Sequence, residues 1–214
     1  MIDSMKIIKL EKIPAKKDSF KVFFDNGENI LLSADIIVKF GLNQGVEISD
    51  ITFKEVLAAD KAYRVIFDAL TLVSKRSYSI KTLSDRLLLK GYEPDNIKSA
   101  VSRLTELGYI NDEKYALAYA KYLYEKKGKG EYAVRKELEE KGISKELANK
   151  ALGSLKTEAE PYEQIIETIK RKFKDFNAKD KNEVRRIASF FLRKGFASED
   201  ISKALRNYKS IEIE

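Results

Sequence analysis

The 214-residue chain contains no cysteine and no histidine. Without cysteine it has no disulfide, no thiolate zinc site, no iron–sulfur cluster and no thiol nucleophile. Without histidine, Ser-His-Asp catalysis, histidine general bases and most transition-metal sites are excluded. Acid–base catalysis would have to rest on Asp, Glu, Lys or Tyr, and no spacing singles out a pair. We therefore expect a protein that is not an enzyme and that has neither a cofactor nor a metal.

Long apolar runs are also missing from the sequence. No run reaches the roughly 18 residues that a membrane helix needs. The N-terminus lacks both a long apolar core and a small-residue cleavage site, so it does not resemble a secretory signal. A soluble, cytoplasmic protein that avoids membranes is expected, and we expect it to be a monomer.

Charge is abundant and unevenly distributed. Charged residues make up 35% of the chain, with 41 Lys and Arg against 34 Asp and Glu, so the net charge is +7. The first 55 residues carry 8 basic and 9 acidic residues, whereas the remainder carries 33 and 25. The positive charge therefore belongs to the later part of the chain. Such a surface favours a polyanion or an acidic protein as partner.

The N-terminal 55 residues have the pattern of a small β unit. Lys6 to Ile13 alternates imperfectly between apolar and charged residues, and Ser19 to Asp25 is aromatic and β-branched. Asn26-Gly27 then separates that run from Glu28 to Ser33, which predicts a hairpin with a type I′ turn. Ser33 is placed to cap a short helix from Ala34 to Phe40 that ends at Gly41. About three strands and one helix are predicted.

The later part of the chain is helical and contains an internal repeat. Three segments align without gaps on a Lys-Gly pair, at 87–104, 138–155 and 191–208. Each has an apolar residue three positions before the lysine, and another directly after the glycine. An alanine follows nine residues beyond each glycine. The Lys-Gly pairs stand 51 and 53 residues apart.

This repeat predicts three units of three helices each. In each unit a helix ends at the Lys-Gly pair, where glycine takes the left-handed position. A further helix then starts at Pro94, Lys145 or Ser198. Upstream helices are predicted at Asp60 to Arg76, Asp112 to Lys127 and Pro161 to Asp175. The fold class is mainly α, an elongated curved array with the domain boundaries 1–55, 56–109, 110–157 and 158–214.

Two local motifs are best explained as helix ends. Asn111 or Asp112 caps the helix that follows, with Asp112 and Glu113 in its first turn, and this capping role is favoured over a metal or acid–base pair. Gly128-Lys129-Gly130 lacks the spacing of a phosphate loop. Its glycines are expected to end one helix and to open the turn to the next.

Basic residues are the candidates for contact with a partner, and they form three clusters. An exposed lysine is most often simply solvated, but equivalent clusters on stacked repeats could form one continuous basic face. The first cluster is Lys75, Arg76, Lys81 and Arg86. The second is Lys121, Lys126, Lys127, Lys129, Arg135 and Lys136. The third is Lys170, Arg171, Lys172, Lys174, Arg185, Arg186, Arg193 and Lys194.

Tyrosines are concentrated in one predicted helix. Tyr115, Tyr119 and Tyr122 share a helical face, and packing in the core with hydroxyls at the rim is favoured over a stacking platform. Tyr124 lies off that face beside Lys121 and Lys127. It is the candidate for a surface aromatic that contacts a partner.

Three segments together resemble the RecX family of recombination regulators. They are SKRSYSIKTLSDRLLLKGY (74–92), LGYINDEKYALAYA (107–120) and VRKELEEKGIS (134–144), in the order and spacing of that family. The resemblance covers about residues 56–210, and the N-terminal β unit is similar to an extension found in some members.

The resemblance implies a regulator of the RecA recombinase in homologous recombination, DNA repair and the SOS response. Family members bind in the groove of the RecA–DNA filament and bridge adjacent protomers. They limit filament growth, ATP hydrolysis and strand exchange, and some also bind DNA. The implied partners are therefore the RecA filament on single-stranded DNA and DNA itself.

Two alternatives remain open at this stage. The same basic face could track the phosphates of DNA directly, in which case bare DNA would be preferred over RecA-coated DNA. The repeats could instead form a protein–protein scaffold with an apolar surface, in which case binding would be insensitive to salt.

Overall fold

The computed structural model describes residues 4–14, 18–156, 161–174 and 176–211. These residues form two compact units. The first holds the chain up to Arg76 together with Leu83–Tyr109, and the second holds Ser77–Thr82 and the chain from Ile110 onward. The described chain is mainly α-helical with a small N-terminal sheet, as predicted.

The sheet of the first unit is antiparallel and has the strand order β3-β2-β1-β4. The strands are β1 (Ser4–Lys12), β2 (Ser19–Phe24), β3 (Asn29–Ser33) and β4 (Glu47–Ser49). The first three match the predicted strands. Strand β4 is not predicted from the sequence, because a strand of only three residues has too little alternation to recognise.

The predicted hairpin joins β2 and β3, but its turn is not of type I′. Gly27 has a φ of 87°, whereas Asn26 does not adopt a positive φ. The amide of Gly27 donates to the carbonyl oxygen of Phe24 at 3.1 Å, and Asn26 Oδ1 accepts from the amide of Glu28 at 2.9 Å. Only one left-handed residue is needed, because the longer loop combines an ordinary turn with a glycine bulge.

Two helices complete the N-terminal part. Helix α1 (Ala34–Lys39) follows β3 as predicted. Helix α2 (Asp50–Val73) begins ten residues before the predicted start at Asp60 and continues without a break past residue 55. Ser49 causes this early start, because its hydroxyl oxygen accepts from the amide of Thr52 at 3.2 Å and so caps the helix.

Eight further helices follow in chain order. They are α3 (Ile80–Leu88), α4 (Pro94–Glu106), α5 (Asp112–Lys121), α6 (Glu131–Glu140), α7 (Lys145–Lys156), α8 (Pro161–Lys172), α9 (Lys181–Arg193) and α10 (Ser198–Ile211). The predicted starts of α4, α7 and α10 are confirmed. The helix predicted to end at Lys127 instead changes to a π-helical segment at Tyr122–Lys126. Helix α8 ends before the predicted Asp175, which lies outside the described residues.

The three Lys-Gly pairs adopt one backbone geometry. Gly91, Gly142 and Gly195 have φ values of 87°, 80° and 84°. In the first turn the amide of Tyr92 donates to the carbonyl of Leu87 at 3.3 Å, and the amide of Gly91 donates to that of Leu88 at 2.9 Å. The other two turns repeat both bonds. This pattern is the Schellman motif, so the predicted helix ends are confirmed.

The repeat positions also share their burial. Leu87, Leu138 and Phe191 each have 1% or less of their surface exposed. The alanines nine residues after each glycine are buried as well. Within the second unit, α5, α6 and α7 enclose one apolar core, and α8, α9 and α10 enclose another. The spacing that the three motifs share therefore reflects packing inside each three-helix repeat.

Candidate partner-binding surface

The second and third repeats meet through their backbones in the second unit. The amide of Gly130 donates to the carbonyl of Lys194 at 2.8 Å, and the amide of Tyr132 donates to that of Gly195 at 3.0 Å. A Cβ atom added to Gly130 would lie 2.4 Å from backbone atoms of Gly195. The N-terminus of α6 is thus capped by the C-terminus of α9. Amide groups that α6 leaves unpaired at its start donate to carbonyl groups that α9 leaves unpaired at its end.

The C-terminus of α6 is capped by a segment of the same unit. The Ser79 hydroxyl donates to the carbonyl of Lys141 at 2.6 Å, and Lys81 Nζ donates to that of Glu140 at 2.9 Å. The amide of Ile80 donates to the carboxylate of Asp112 at 2.8 Å. Burial raises the pKa of Asp112, and this hydrogen bond opposes the rise. Capping at N-terminal positions is therefore the role of both Asn111, which accepts from the amide of Lys114, and Asp112.

Several of the predicted contact cations form bonds within the protein. Lys129 pairs with Glu137, and Arg135 pairs with Glu131 at 2.7 Å while also bonding Asn149. Lys81 and Lys194 donate to backbone carbonyls. Lys121 lies 3.6 Å from Glu125, and Arg186 lies 3.8 Å from Glu183. These cations stabilise the repeats, and their sequence positions alone do not distinguish them from the rest.

A second group is exposed and has no ion pair with any carboxylate of the described residues. Its predicted members are Lys75, Arg86, Lys126, Lys136 and Arg185, together with Lys170, Arg171, Lys174 and Arg193 from the wider third cluster. Arg76 is exposed as well. Lys127 and Lys172 lie over the rings of Tyr122 and Phe190, at 5.5 Å and 4.6 Å from the centroids.

The second and third clusters come together at the contact between their repeats. Lys194 Nζ donates to the carbonyl of Lys127 at 3.2 Å, directly beside the Gly130–Lys194 bond. Tyr132 is 68% exposed and lies one helical turn before Lys136. We call the set Tyr122, Lys126, Lys127, Tyr132, Lys136 and Lys194 the junction surface. The junction surface thus combines cationic and aromatic side chains that lie at this contact or close to it along the chain.

The three tyrosines of α5 and the π-helical segment form a stacked row. The ring centroids of Tyr115 and Tyr119 are 5.6 Å apart, and those of Tyr119 and Tyr122 are 6.3 Å apart. Tyr115 and Tyr119 pack against the core of the second repeat, and the Tyr119 hydroxyl donates to Glu137 at 2.9 Å. Burial is the main cause of the raised pKa of Tyr119. Tyr122, by contrast, is 44% exposed.

The expected surface position of Tyr124 is wrong. Its ring packs against the core of the second repeat, its hydroxyl oxygen is buried, and its carbonyl accepts from Gln164 Nε2 at 2.6 Å. Tyr124 stands four residues after Ala120 and eight after Ala116, which are both buried in that core, so helical spacing itself places Tyr124 on the buried face. Tyr122 and Tyr132 are the exposed aromatics that the sequence analysis missed. The four-residue spacing of Tyr132 and Lys136 was the available signal.

Neither a metal site nor a membrane-spanning helix is found among the described residues. No group of three or more acidic side chains there is arranged to hold a metal ion. No helix of the described chain combines the length and the apolar character needed to cross a lipid bilayer.

The fold defines a class of proteins built from three-helix repeats with a small N-terminal sheet. Family models of the first, second and third three-helix domains of RecX match residues 68–104, 111–152 and 158–205. The Regulatory protein RecX of Bacillus subtilis is 30% identical over 93% of this chain and 75% of its own length. The Regulatory protein RecX of Caldanaerobacter subterraneus is 30% identical over 94% of this chain and 96% of its own length. The chain belongs to the RecX family.

Solved structures share the fold. A crystal structure of regulatory protein RecX superposes with a TM-score of 0.72 at 18% identity, covering 94% of this chain and 98% of that one. The RecX structure from Lactobacillus salivarius gives a TM-score of 0.64 at 24% identity, covering 71% of this chain and 98% of that one. At these identities the likeness is one of architecture.

Proposed function

We propose that this protein regulates RecA in the cytoplasm without catalysing a reaction itself. It binds the RecA filament on single-stranded DNA, bridges adjacent protomers in the filament groove, and limits filament growth, ATP hydrolysis and strand exchange. It thereby acts in homologous recombination and DNA repair. The observation that carries the proposal is membership of the RecX family across all three of its three-helix domains.

The distribution of charge supports electrostatic recognition. The junction surface presents Lys126 and Lys136, which are exposed and have no ion pair with described carboxylates. Cations that are not neutralised within the protein attract an acidic surface and accelerate its association. Linked repeats that each make a weak contact bind more tightly together than singly, because the first contact raises the effective concentration of the others.

The test is a titration of this protein into RecA at a fixed concentration of single-stranded DNA, with ATP hydrolysis as the readout. Binding to bare DNA is measured in parallel under the same conditions. We expect hydrolysis to fall at substoichiometric protein, at concentrations that leave bare DNA unbound. If hydrolysis is unchanged until the DNA is saturated, regulation by contact with the filament is excluded.

Direct DNA binding is the second candidate, and the junction surface provides the observation that favours it. Exposed lysines neutralise phosphates, and exposed Tyr122 and Tyr132 offer rings on which unpaired bases stack. This candidate predicts tighter binding to bare single-stranded DNA than to RecA-coated DNA. Substitution of both tyrosines by serine would then reduce DNA affinity while the protein stays folded.

A further inference from the structure

A cavity of about 420 Å³ opens in the first unit. Tyr63, Phe67 and Tyr92 contribute aromatic walls, and the buried hydroxyl-bearing residues Ser19 and Ser33 lie opposite one another on β2 and β3. Asp18, Arg64 and Asp68 complete the lining. The volume is within the range of sites that hold a small ligand or one large side chain.

The aromatic walls are flat and partly exposed. The rings of Tyr63 and Phe67 are stacked with centroids 6.1 Å apart and an angle of 23° between their planes. Phe67 is 47% exposed, although it projects from a helix that has a buried face available. An aromatic ring kept at the mouth of a cavity offers its negative face to a cation.

The tyrosine hydroxyls are directed to carboxylates. The Tyr63 hydroxyl donates to Asp35 at 2.6 Å, and that of Tyr92 donates to Asp68 at 3.0 Å. The hydrogen bond to Asp35, together with burial, raises the pKa of Tyr63 to about 12. Burial, together with the hydrogen bond to Asp68, raises the pKa of Tyr92 to about 12. Donation to an anion increases the electron density of a phenol ring, which strengthens the attraction of its face for a cation.

The cations at this site are already neutralised. Arg64 Nε lies 2.5 Å from the carboxylate of Asp60, which is only 5% exposed and also accepts from the amide and hydroxyl of Ser33 at 2.7 Å. Lys90 pairs with Asp68 at 2.7 Å. The Asp18 carboxylate, in contrast, has no hydrogen bond or ion pair with any described residue, so one negative charge at the cavity is uncompensated within the described chain.

We propose that this cavity binds an arginine side chain presented by a protein partner. The planar guanidinium stacks on the faces of Tyr63 and Phe67, and Asp18 accepts charge-assisted hydrogen bonds from it. A lysine ammonium lacks the flat face that matches the two stacked rings. The lining of the cavity includes no residue of the three basic clusters, so the test does not depend on how the junction surface is used.

The test is a nuclear magnetic resonance titration of the full chain with three peptides. Each is an acetylated and amidated pentapeptide with two glycines on either side of a central arginine, citrulline or lysine. Citrulline is the matched control, because it keeps the shape of arginine but has no charge. We expect saturable shifts of backbone amide signals at residues 18–19 and 63–68 with the arginine peptide, and at least fivefold weaker binding of the other two.

Two variants locate the site and one serves as control. Asp18→Asn and Phe67→Leu are each expected to weaken arginine-peptide binding by at least fivefold, whereas Asp85→Asn, an exposed carboxylate on α3, leaves it unchanged. The proposal is overturned if the arginine peptide gives no saturable shifts at these residues. Equal binding of the citrulline peptide, or unchanged binding in both site variants, also overturns it. Equal binding of the lysine peptide overturns the assignment to arginine.

Discussion

Adjacent basic residues of α6 have different roles. Arg135 is half-buried, pairs with Glu131 and bonds Asn149, so its charge is used to hold α6 and α7 together. Lys136 is exposed and has no ion pair with described carboxylates. The sequence analysis treated the two as equivalent contact residues, since residue type and spacing do not reveal which charges have partners inside the fold.

Charge reversal separates the two roles. Lys136→Glu is expected to weaken binding to the RecA filament about tenfold with thermal stability unchanged, because it alters only the surface charge. Arg135→Glu, by contrast, is expected to lower the free energy of unfolding by about 1–3 kcal/mol. It breaks a hydrogen-bonded ion pair and places its new carboxylate beside that of Glu131. Filament binding by co-sedimentation and thermal unfolding by circular dichroism measure the two effects.

The matched control is Lys98→Glu, which reverses an exposed lysine of α4 outside all three clusters. Its binding and its stability should equal those of the unmodified protein. If Lys136→Glu and Lys98→Glu bind equally well, the junction surface does not contribute to recognition through its charge.

The positions of the tyrosine side chains are only partly predictable from their spacing in the sequence. Spacing correctly predicted that Tyr115, Tyr119 and Tyr122 share a face, because α5 is regular up to Lys121 and Tyr122 follows it directly. Beyond Lys121 the helix widens into its π-helical segment, and the phase of the side chains changes. Tyr124 nevertheless lies against the core, because it follows the buried residues Ala120 and Ala116 by four and eight positions, and that spacing was the available signal.

Among the elements, the Lys-Gly turns perform more than one task. All three end a helix through the same two backbone hydrogen bonds. Gly195 has a further role, because a Cβ atom there would lie 2.4 Å from the amide nitrogen of Ala133, in the helix that it caps. At Gly91 no atom lies within 4 Å of such a Cβ. The same motif is thus an isolated turn in one repeat and a packing surface in another.

Substitution by alanine distinguishes these two situations. Gly91→Ala is expected to cost about 1–2 kcal/mol, the strain of a left-handed side chain. Gly195→Ala is expected to cost about 1–3 kcal/mol more, because α6 and α9 must also separate. Unfolding in guanidinium chloride followed by circular dichroism measures both. Equal losses in the two variants would show that the backbone contact between repeats contributes nothing to stability.

The element boundaries that were predicted well depend on local chemistry. Pro94 at the first position of α4 and Ser198 at the start of α10 are strong helix-start signals, and the structure confirms both. The start of α2 was misplaced although Ser49 and Asp50 form an equally local cap. Strand β4 is different, because its three residues are held by pairing with the beginning of β1, some forty residues earlier.

For the whole molecule, the main expectation concerns ionic strength. Electrostatic recognition by many exposed cations must weaken as salt screens the charges. The affinity for the RecA filament is expected to fall about tenfold or more between 50 and 300 mM salt, with the slope reduced in Lys136→Glu. Binding measured by fluorescence anisotropy at four salt concentrations tests this.

The control for that experiment is filament assembly by RecA alone at each salt concentration, so that loss of the filament is not mistaken for loss of binding. An affinity that stays constant across the series would contradict electrostatic recognition. It would instead favour an apolar scaffold, because burial of apolar surface is not screened by salt.

The features that could be predicted from the amino-acid sequence are those that depend on contacts between residues a few positions apart. Periodicity, the Lys-Gly pairs and their spacing predicted the helices, their ends and the threefold repeat, because a Schellman turn is closed by residues within one turn of a helix. The same spacing carried the family resemblance. Composition had already excluded thiol and imidazole chemistry.

Which side chains and backbone groups have partners inside the protein is seen only in the tertiary structure. The pairing of Gly130 with Lys194 joins residues 64 positions apart, and the cavity of Tyr63 and Phe67 is closed by Asp18 and Tyr92 from distant parts of the chain. Such contacts depend on how helices and strands pack, and packing is set by the fit of many side chains at once rather than by any local signal. Whether a lysine is free to meet a partner is therefore a property of the fold.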